Sequence, residues 1–326
     1  MLSNQGPSKY NGATTHRRKP AMTSNWKLGL GFSLVTAIMW GLLPLALKVV
    51  LEVMDPITIS WYRFSVSALI ALLWYGHGSG RALKELLFTR LFTLTLTAIV
   101  GLIGNYLLYI WGLDHINPGA AQILIQLAPL ILLIGSVLIF KESFSLTQWL
   151  GVIGFTAGML LFFHQRLTSI VLTSDAYLTG ILLILAAAVT WSVYGLAQKQ
   201  LLTKHHAKDI LLLICLAGTI VLWPLAQPGQ IHNLDTMQLA MLAFCGLNTI
   251  IAYGAFGLAM SYWQASRVSA VITLAPLLTL LFTVGLNYWE FADIPAEPLD
   301  WLSSLGALLV VGGASFAALP RRKGNP

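Results

Sequence analysis

"NPGAAQILIQLAPLILLIGSVLIFKE" spans Asn117 to Glu142, and about 147 residues later "SRVSAVITLAPLLTLLFTVGLNYWE" spans Ser266 to Glu290. Each copy opens on small and polar residues, carries an Ala-Pro-Leu triplet inside an apolar run, and closes on a glutamate, Glu142 or Glu290. A proline inside a helix removes one backbone donor and frees the carbonyl four residues earlier, at about 3 kcal/mol or more in water. In hydrocarbon, that carbonyl is tolerated only where protein or a water-filled cavity satisfies it. Pro129 frees the carbonyl of Ile125, and Pro276 that of Ile272. One such break reads equally well as a packing kink. Two, at corresponding places in one chain, favour the lining of a cavity.

The rest of the chain is equally apolar. Of 326 residues, 57% are hydrophobic and 10% charged, with a mean hydropathy of +0.76. A soluble domain carries about 25% charged residues, so lipid is the solvent this composition fits. The net charge of +7 would fit nucleic acid in a soluble protein. Here the basic residues act first as topology signals, and no nucleic-acid partner is read from them. Cys215 and Cys245 both lie in apolar runs and read as small buried residues, without disulfide or metal spacing. Residues 1–26 are polar, basic and contain Gly and Pro, which predicts a disordered cytoplasmic tail; Met22 is an alternative start. The run that follows is too long for a signal-peptide core and lacks an A-x-A site, so it reads as an uncleaved first membrane helix.

Apolar runs long enough to cross a bilayer as helices fall near 28–51, 56–76, 89–113, 117–140 and 145–164, then near 177–198, 209–225, 237–260, 266–288 and 299–319. With the N-terminus in the cytoplasm, sixteen of the nineteen Lys and Arg residues lie inside; Lys48, Arg63 and Arg166 are the exceptions. This positive-inside bias places both termini in the cytoplasm. Nine of eleven tryptophans fall near span ends or in loops, as an interfacial belt requires. The other two, Trp40 and Trp191, lie well inside the first and sixth spans.

The duplication reaches beyond the opening stretch. Trp40 with Lys48 recurs as Trp191 with Lys199, Tyr106 aligns with Tyr253, and "QWLGVIG" at 148–154 aligns with "DWLSSLG" at 300–306. The chain divides into the tail 1–26, a first repeat 27–164, an external linker 165–176, a second repeat 177–320 and a basic cytoplasmic tail 321–326. Five spans per repeat force the second half to enter the membrane in the opposite sense. The expected fold is therefore an all-α integral membrane protein of ten helices in two inverted five-helix repeats. In secondary transporters of this kind the substrate site lies at the repeat interface near the midplane.

These features together resemble the drug/metabolite transporter superfamily, with two EamA domains. The resemblance rests on the tryptophan-then-lysine spans, "DPITISWYRF" opening the second span with Arg63, the two "APL…E" spans, and "QWLGVIGFTAG" and "DWLSSLGALLVVGG" after them. It covers about residues 28–319. It implies a ten-helix permease of the cell (inner or plasma) membrane, usually an exporter of amino acids, other metabolites or toxic compounds. Relatives carry nucleotide sugars and sugar phosphates.

Polar groups in mid-membrane are the candidate substrate contacts, because leaving them unpaired in hydrocarbon is costly. Gln122, Gln126 and Pro129 share one helical stripe, as do Ser269, Thr273 and Pro276. Asn105 and Tyr109 lie four apart, Trp191 and Tyr194 share a helix, and Asn248 and Trp40 add an amide and an indole. Taken singly, each reads as interhelical glue worth about 0.6 kcal/mol. Their convergence on the helices that meet in an inverted repeat reads as an aromatic-walled pocket for a small zwitterion, an amide or a flat organic compound. Arg63 either snorkels to the outer surface or meets an anionic substrate. Lys48 and Lys199 sit at helix ends, where they snorkel or compensate helix termini. Glu142 and Glu290 lie at span ends, suited to capping, gating or pairing.

Helix one contains no acid, so carboxylate-driven proton exchange has no carrier there. Gly154 with Gly158, and Ser303, Gly306, Ala307 and Gly313, read as close-approach faces; a homodimer through them is left open. The seven histidines lie in tails, loops or near span ends, and no nucleophile–base pair or phosphate loop appears. The expectation is therefore a non-enzymatic carrier without cofactor or metal, working by alternating access on a small-molecule substrate. The other readings are a non-transporting membrane scaffold and a carrier of an anionic or nucleotide-sugar-like substrate.

Overall fold

A computed structural model of the chain describes residues 26–140, 146–164, 176–262, 268, 271–288 and 300–317. Glu142, Glu290 and both tails lie outside these. The described residues hold helices and no strand. They are α1 (Trp26–Leu51), α2 (Pro56–Phe88), α3 (Phe92–His115), α4 (Pro118–Ile125), α5 (Leu127–Phe140) and α6 (Leu146–Phe162). Then follow α7 (Ala176–Leu201), α8 (Ala207–Leu222), a 3₁₀ turn (Pro228–Asn233), α9 (Thr236–Tyr262), α10 (Ala275–Tyr288) and α11 (Trp301–Ala317). Five helices, α1, α2, α3, α7 and α9, are long and apolar enough to cross a membrane; α6, α10 and α11 are shorter apolar helices. Large apolar side chains also cover the outside, among them Leu73, Trp74, Ile220, Val284 and Leu308. An exterior this apolar suits lipid rather than water.

Both prolines of the duplicated stretch sit just after a break. The helix expected over 117–140 is divided at Gln126, whose N–H bonds Ile123 O at 3.2 Å in a tight turn. Pro129 then lies in the first turn of α5. In the second copy the turn falls at Thr273 and Leu274, with Leu274 N–H on Val271 O at 3.1 Å, and Pro276 lies in the first turn of α10. Each break thus begins three residues before its proline. The first turn of a helix is where the missing N–H and the fixed φ of proline are tolerated.

The second helix departs from expectation at its other end. Its start follows the sequence: Asp55 caps it, accepting from Ile57 N–H at 2.9 Å and Thr58 N–H at 3.0 Å, with Pro56 behind it. Residues 77–88, read as a cytoplasmic loop, instead continue α2. Arg81 and Glu85 pair across one turn at 2.9 Å. Leu86 is fully buried, and Ser79 Oγ donates to Asp209 Oδ1 of α8. The Leu86 and Ser79 contacts hold the polar extension against the bundle.

The halves pack by exchange. α3 lies along α7 as α1 lies along α9, α5 meets α7 as α1 meets α10, and α2 meets α8 while α6 meets α11. Swapping the halves leaves this set of neighbours unchanged. The α6–α11 contact uses the small-residue faces seen in the sequence. A Cβ on Gly158 would stand 2.6 Å from Val310 N, and one on Gly313 2.3 Å from Phe155 N, so the two backbones touch. Those faces are therefore spent inside the chain. One apolar core runs through Leu47, Ile110, Ile123, Ile184 and Val310, and a second through Phe64, Leu102, Tyr194 and Cys215.

Candidate functional site

The middle of α1 is where three of the candidate residues, Trp40, Gln122 and Asn248, meet. Pro44 lies inside α1 and so removes the N–H that would have bonded Trp40 O. Gln122 of α4 supplies the missing donor, with Nε2 2.6 Å from Trp40 O. The neighbouring carbonyls are engaged too. Asn248 Nδ2 of α9 donates to Met39 O at 2.7 Å, and Thr279 Oγ1 of α10 to Gly41 O at 2.7 Å. Gly41 permits this approach, since a Cβ there would lie 3.0 Å from Leu278 Cβ and 3.2 Å from Ala275 O. Three successive α1 carbonyls thus bind three other helices.

The Trp40 ring faces α9. It stands edge-on to Tyr253 at 5.6 Å between centroids and tilts against Phe256 at 6.0 Å. Tyr253 lies beside the Trp191 indole and the Tyr106 hydroxyl. Both central tryptophans therefore converge on one tyrosine, which adjoins its counterpart in the other repeat. Tyr106 is buried, its hydroxyl 3.2 Å from Thr249 Oγ1. Tyr106, Tyr253, Phe256 and Thr279 were not among the candidates read from sequence. The alignment of Tyr106 with Tyr253 was the signal that could have found the first two.

Arg63 does not snorkel. It is 4% exposed, and its guanidinium lies over the Tyr106 ring, 4.2 Å from the centroid. No acceptor bonds its Nε, and among the described residues no carboxylate pairs with it. Burying a charge costs several kcal/mol when it is unpaired, and a desolvated cation–π contact offsets about 2 kcal/mol. The remainder has no partner among the described residues.

The other candidates divide between this centre and the packing around it. Asn248 leaves its Oδ1 buried without a donor, and Tyr109 its hydroxyl buried without a partner. Gln126 is buried at the first break. Asn105 instead ties α3 to α7, Nδ2 donating to Ala187 O at 2.9 Å. Tyr194 is buried in the same crossing, its Cβ 3.0 Å from where a Cβ on Gly101 would be. Thr273 meets Ser315 of α11, with 2.7 Å between hydroxyls. Lys48 caps the end of a neighbouring helix, its Nζ 2.9 Å from both Leu113 O and Asp114 O of α3. Lys199 is exposed on α7. Glu142 and Glu290 lie outside the described residues.

The sequence profile of the EamA-like transporter family matches residues 27–164 and 178–319. An Escherichia coli K12 protein described as the uncharacterized inner membrane transporter YhbE is 41% identical over 303 residues, 90% of this chain and 92% of the relative. A Streptantibioticus cattleyicolor protein described as a probable terminal-alkyne amino-acid exporter is 26% identical over 192 residues, 58% of this chain and 62% of the relative. A solved crystal structure superposes with a TM-score of 0.62 at 20% identity, over 89% of this chain and 96% of that one. That likeness is one of fold alone.

Proposed function

This chain belongs to the EamA-like transporter family, and on that premise we propose that it is a secondary carrier exporting a small metabolite such as an amino acid. It is a multi-pass membrane transporter. In this reading residues 27–164 and 177–320 form two inverted five-helix repeats, ten spans in all, with both termini in the cytoplasm. Alternating access is then a movement of one repeat against the other about a site near the midplane. The observation that carries the reading is the convergence of Trp40 and Trp191, one from each repeat, on Tyr253. The exchange-symmetric packing and the paired breaks at Gln126 and Thr273 support it. Trp40, Gln126, Trp191, Tyr109 and Asn248 form the substrate surface. Gln122, Asn105, Tyr194 and Thr273 hold the helices that present it. The distant relative described as an amino-acid exporter favours amino acids as the first class to test. The α6–α11 small-residue faces are occupied, so a homodimer would use another surface.

Flux of radiolabelled amino acids and other metabolites through the purified chain in liposomes tests the function. Saturable flux of at least one compound, absent from empty liposomes, is the expected result; none across a broad panel would favour the scaffold reading. Cysteine labelling tests the topology. Arg81→Cys is expected to react from the cytoplasmic side and Gly229→Cys from the outside, both at exposed positions. Reaction of both from one side would end the inverted-repeat reading.

A further inference from the structure

We propose that Arg63 anchors a carboxylate of the transported molecule, so that this carrier selects acids or zwitterions over neutral and cationic compounds. The inference rests on the carrier reading and deepens it.

The argument starts from an imbalance of donors and acceptors. Arg63 brings five N–H donors and a fixed charge into a site where it is 4% exposed. Among the described residues it gains only the face of Tyr106, at 4.2 Å. That ring is itself held in place, stacked on Phe64 at 4.6 Å between centroids and bonded through its hydroxyl to Thr249. One turn further along α3, Tyr109 carries a buried hydroxyl that also lacks a partner. The Arg63 Nε and the Tyr109 hydroxyl are thus both buried without a partner. A planar guanidinium is built to take a carboxylate in two parallel hydrogen bonds. On α9 the imbalance reverses. Asn248 spends its N–H₂ on Met39 O and leaves Oδ1 as a buried acceptor without a donor, which suits an ammonium group. Tyr106 joins the charge to Tyr253 and thus to both central tryptophans. The anchor is one ring away from the surface assigned to the substrate.

The probes are amino acids and short monocarboxylic acids, each compared with its own carboxamide, added to the purified full chain while Tm is measured. At least one acid is expected to raise Tm, with its carboxamide ineffective at tenfold higher concentration. Arg63→Gln is expected to weaken that acid about ten- to a hundredfold, the loss of one charge-assisted contact. Arg63→Lys should retain part of the affinity, and Tyr109→Phe should lose less than Arg63→Gln. If Arg63→Gln fails to fold, Arg63→Lys and Tyr109→Phe carry the comparison. The proposal is overturned if acid and carboxamide act alike, if no acid acts, or if the variants bind as wild type does. Chloride or sulfate alone reproducing the full effect would also overturn it, by marking a structural anion site. Liposome flux separates the two levels. Flux of neutral or cationic compounds through wild type as fast as that of the acids would leave the carrier standing and remove the anchor. No flux in wild type would remove the carrier itself.

Discussion

Two helix crossings occupy corresponding places in the two halves and are built from different materials. Where α3 crosses α7, glycine lets backbone meet backbone. A Cβ on Gly180 would fall 2.5 Å from Ile116 Cγ2 and 3.0 Å from Gly112 O, and one on Gly101 3.0 Å from Thr190 O. Where α1 crosses α9, Gly31 and Gly254 face open space. Contact there is made by Trp40 on Tyr253 and by Asn248 on the Met39 carbonyl. Close backbone packing has no alternative arrangement of similar energy, because any slip opens a void or a clash. Rings and amides can trade one partner for another. Under the carrier reading, α3–α7 is the fixed crossing and α1–α9 the one that exchanges contacts with substrate.

The largest effect that separates the two crossings is expected at Gly180. Gly180→Leu forces a side chain into Ile116, His115 and the α3 backbone, beyond the usual overpacking cost of about 1–3 kcal/mol. No monodisperse protein should elute in size-exclusion chromatography. A well-folded Gly180→Leu protein would dissolve the contrast.

Next come Trp40→Ala and Gln126→Leu. Both should insert normally and elute as wild type does, with flux per folded molecule reduced about tenfold or more. Wild-type flux in both would place the substrate path elsewhere.

A smaller effect, on stability alone, is expected at Gln122. Gln122→Leu strands the carbonyl that Pro44 frees, a penalty of about 1–3 kcal/mol. Pro44→Ala returns a backbone donor to Trp40 O, so the double variant should recover much of the lost Tm. Additive losses would show that Gln122 acts on something other than that carbonyl.

The smallest effect is expected at Gly254, exposed on α9 with open space where a Cβ would stand. Gly254→Ala should leave Tm unchanged or raise it slightly, through about 0.5–1 kcal/mol of relieved helix cost. A drop of several degrees would mean that the α1–α9 side is as closely packed as its counterpart.

The contrast itself was not legible in the sequence, which pairs Trp40 with Trp191 as equals. Local features were legible because their causes are local: the breaks before Pro129 and Pro276, the Asp55–Pro56 start of α2, and the small-residue faces of Gly158 and Gly306. The continuation of α2 to Phe88 was not, since it depends on Ser79 meeting Asp209, 130 residues away. For Arg63 the sequence left snorkelling and a buried anion contact open, because nearness to a span end says nothing of which neighbours enclose it; its burial removes the first. Lys48 was seen to serve a helix terminus, but the helix it serves is α3 and not its own. Gln122 and Gln126 look alike along the chain. Only the position of Trp40 O makes one a cap and leaves the other at the break.

The α1 carbonyl hub also has a timetable. A ribosome adds about 5–20 residues per second, and Gln122 follows Trp40 by 82 residues. For roughly 4–16 s the nascent first helix therefore lacks the donor that satisfies this carbonyl in the finished protein. Thr279, 238 residues after Gly41, arrives only when synthesis is nearly complete. An unpaired carbonyl in hydrocarbon costs several kcal/mol, so α1 gains by waiting beside water or the insertion machinery until α4 emerges. The proline that shapes the finished centre also sets the order in which this protein can be assembled.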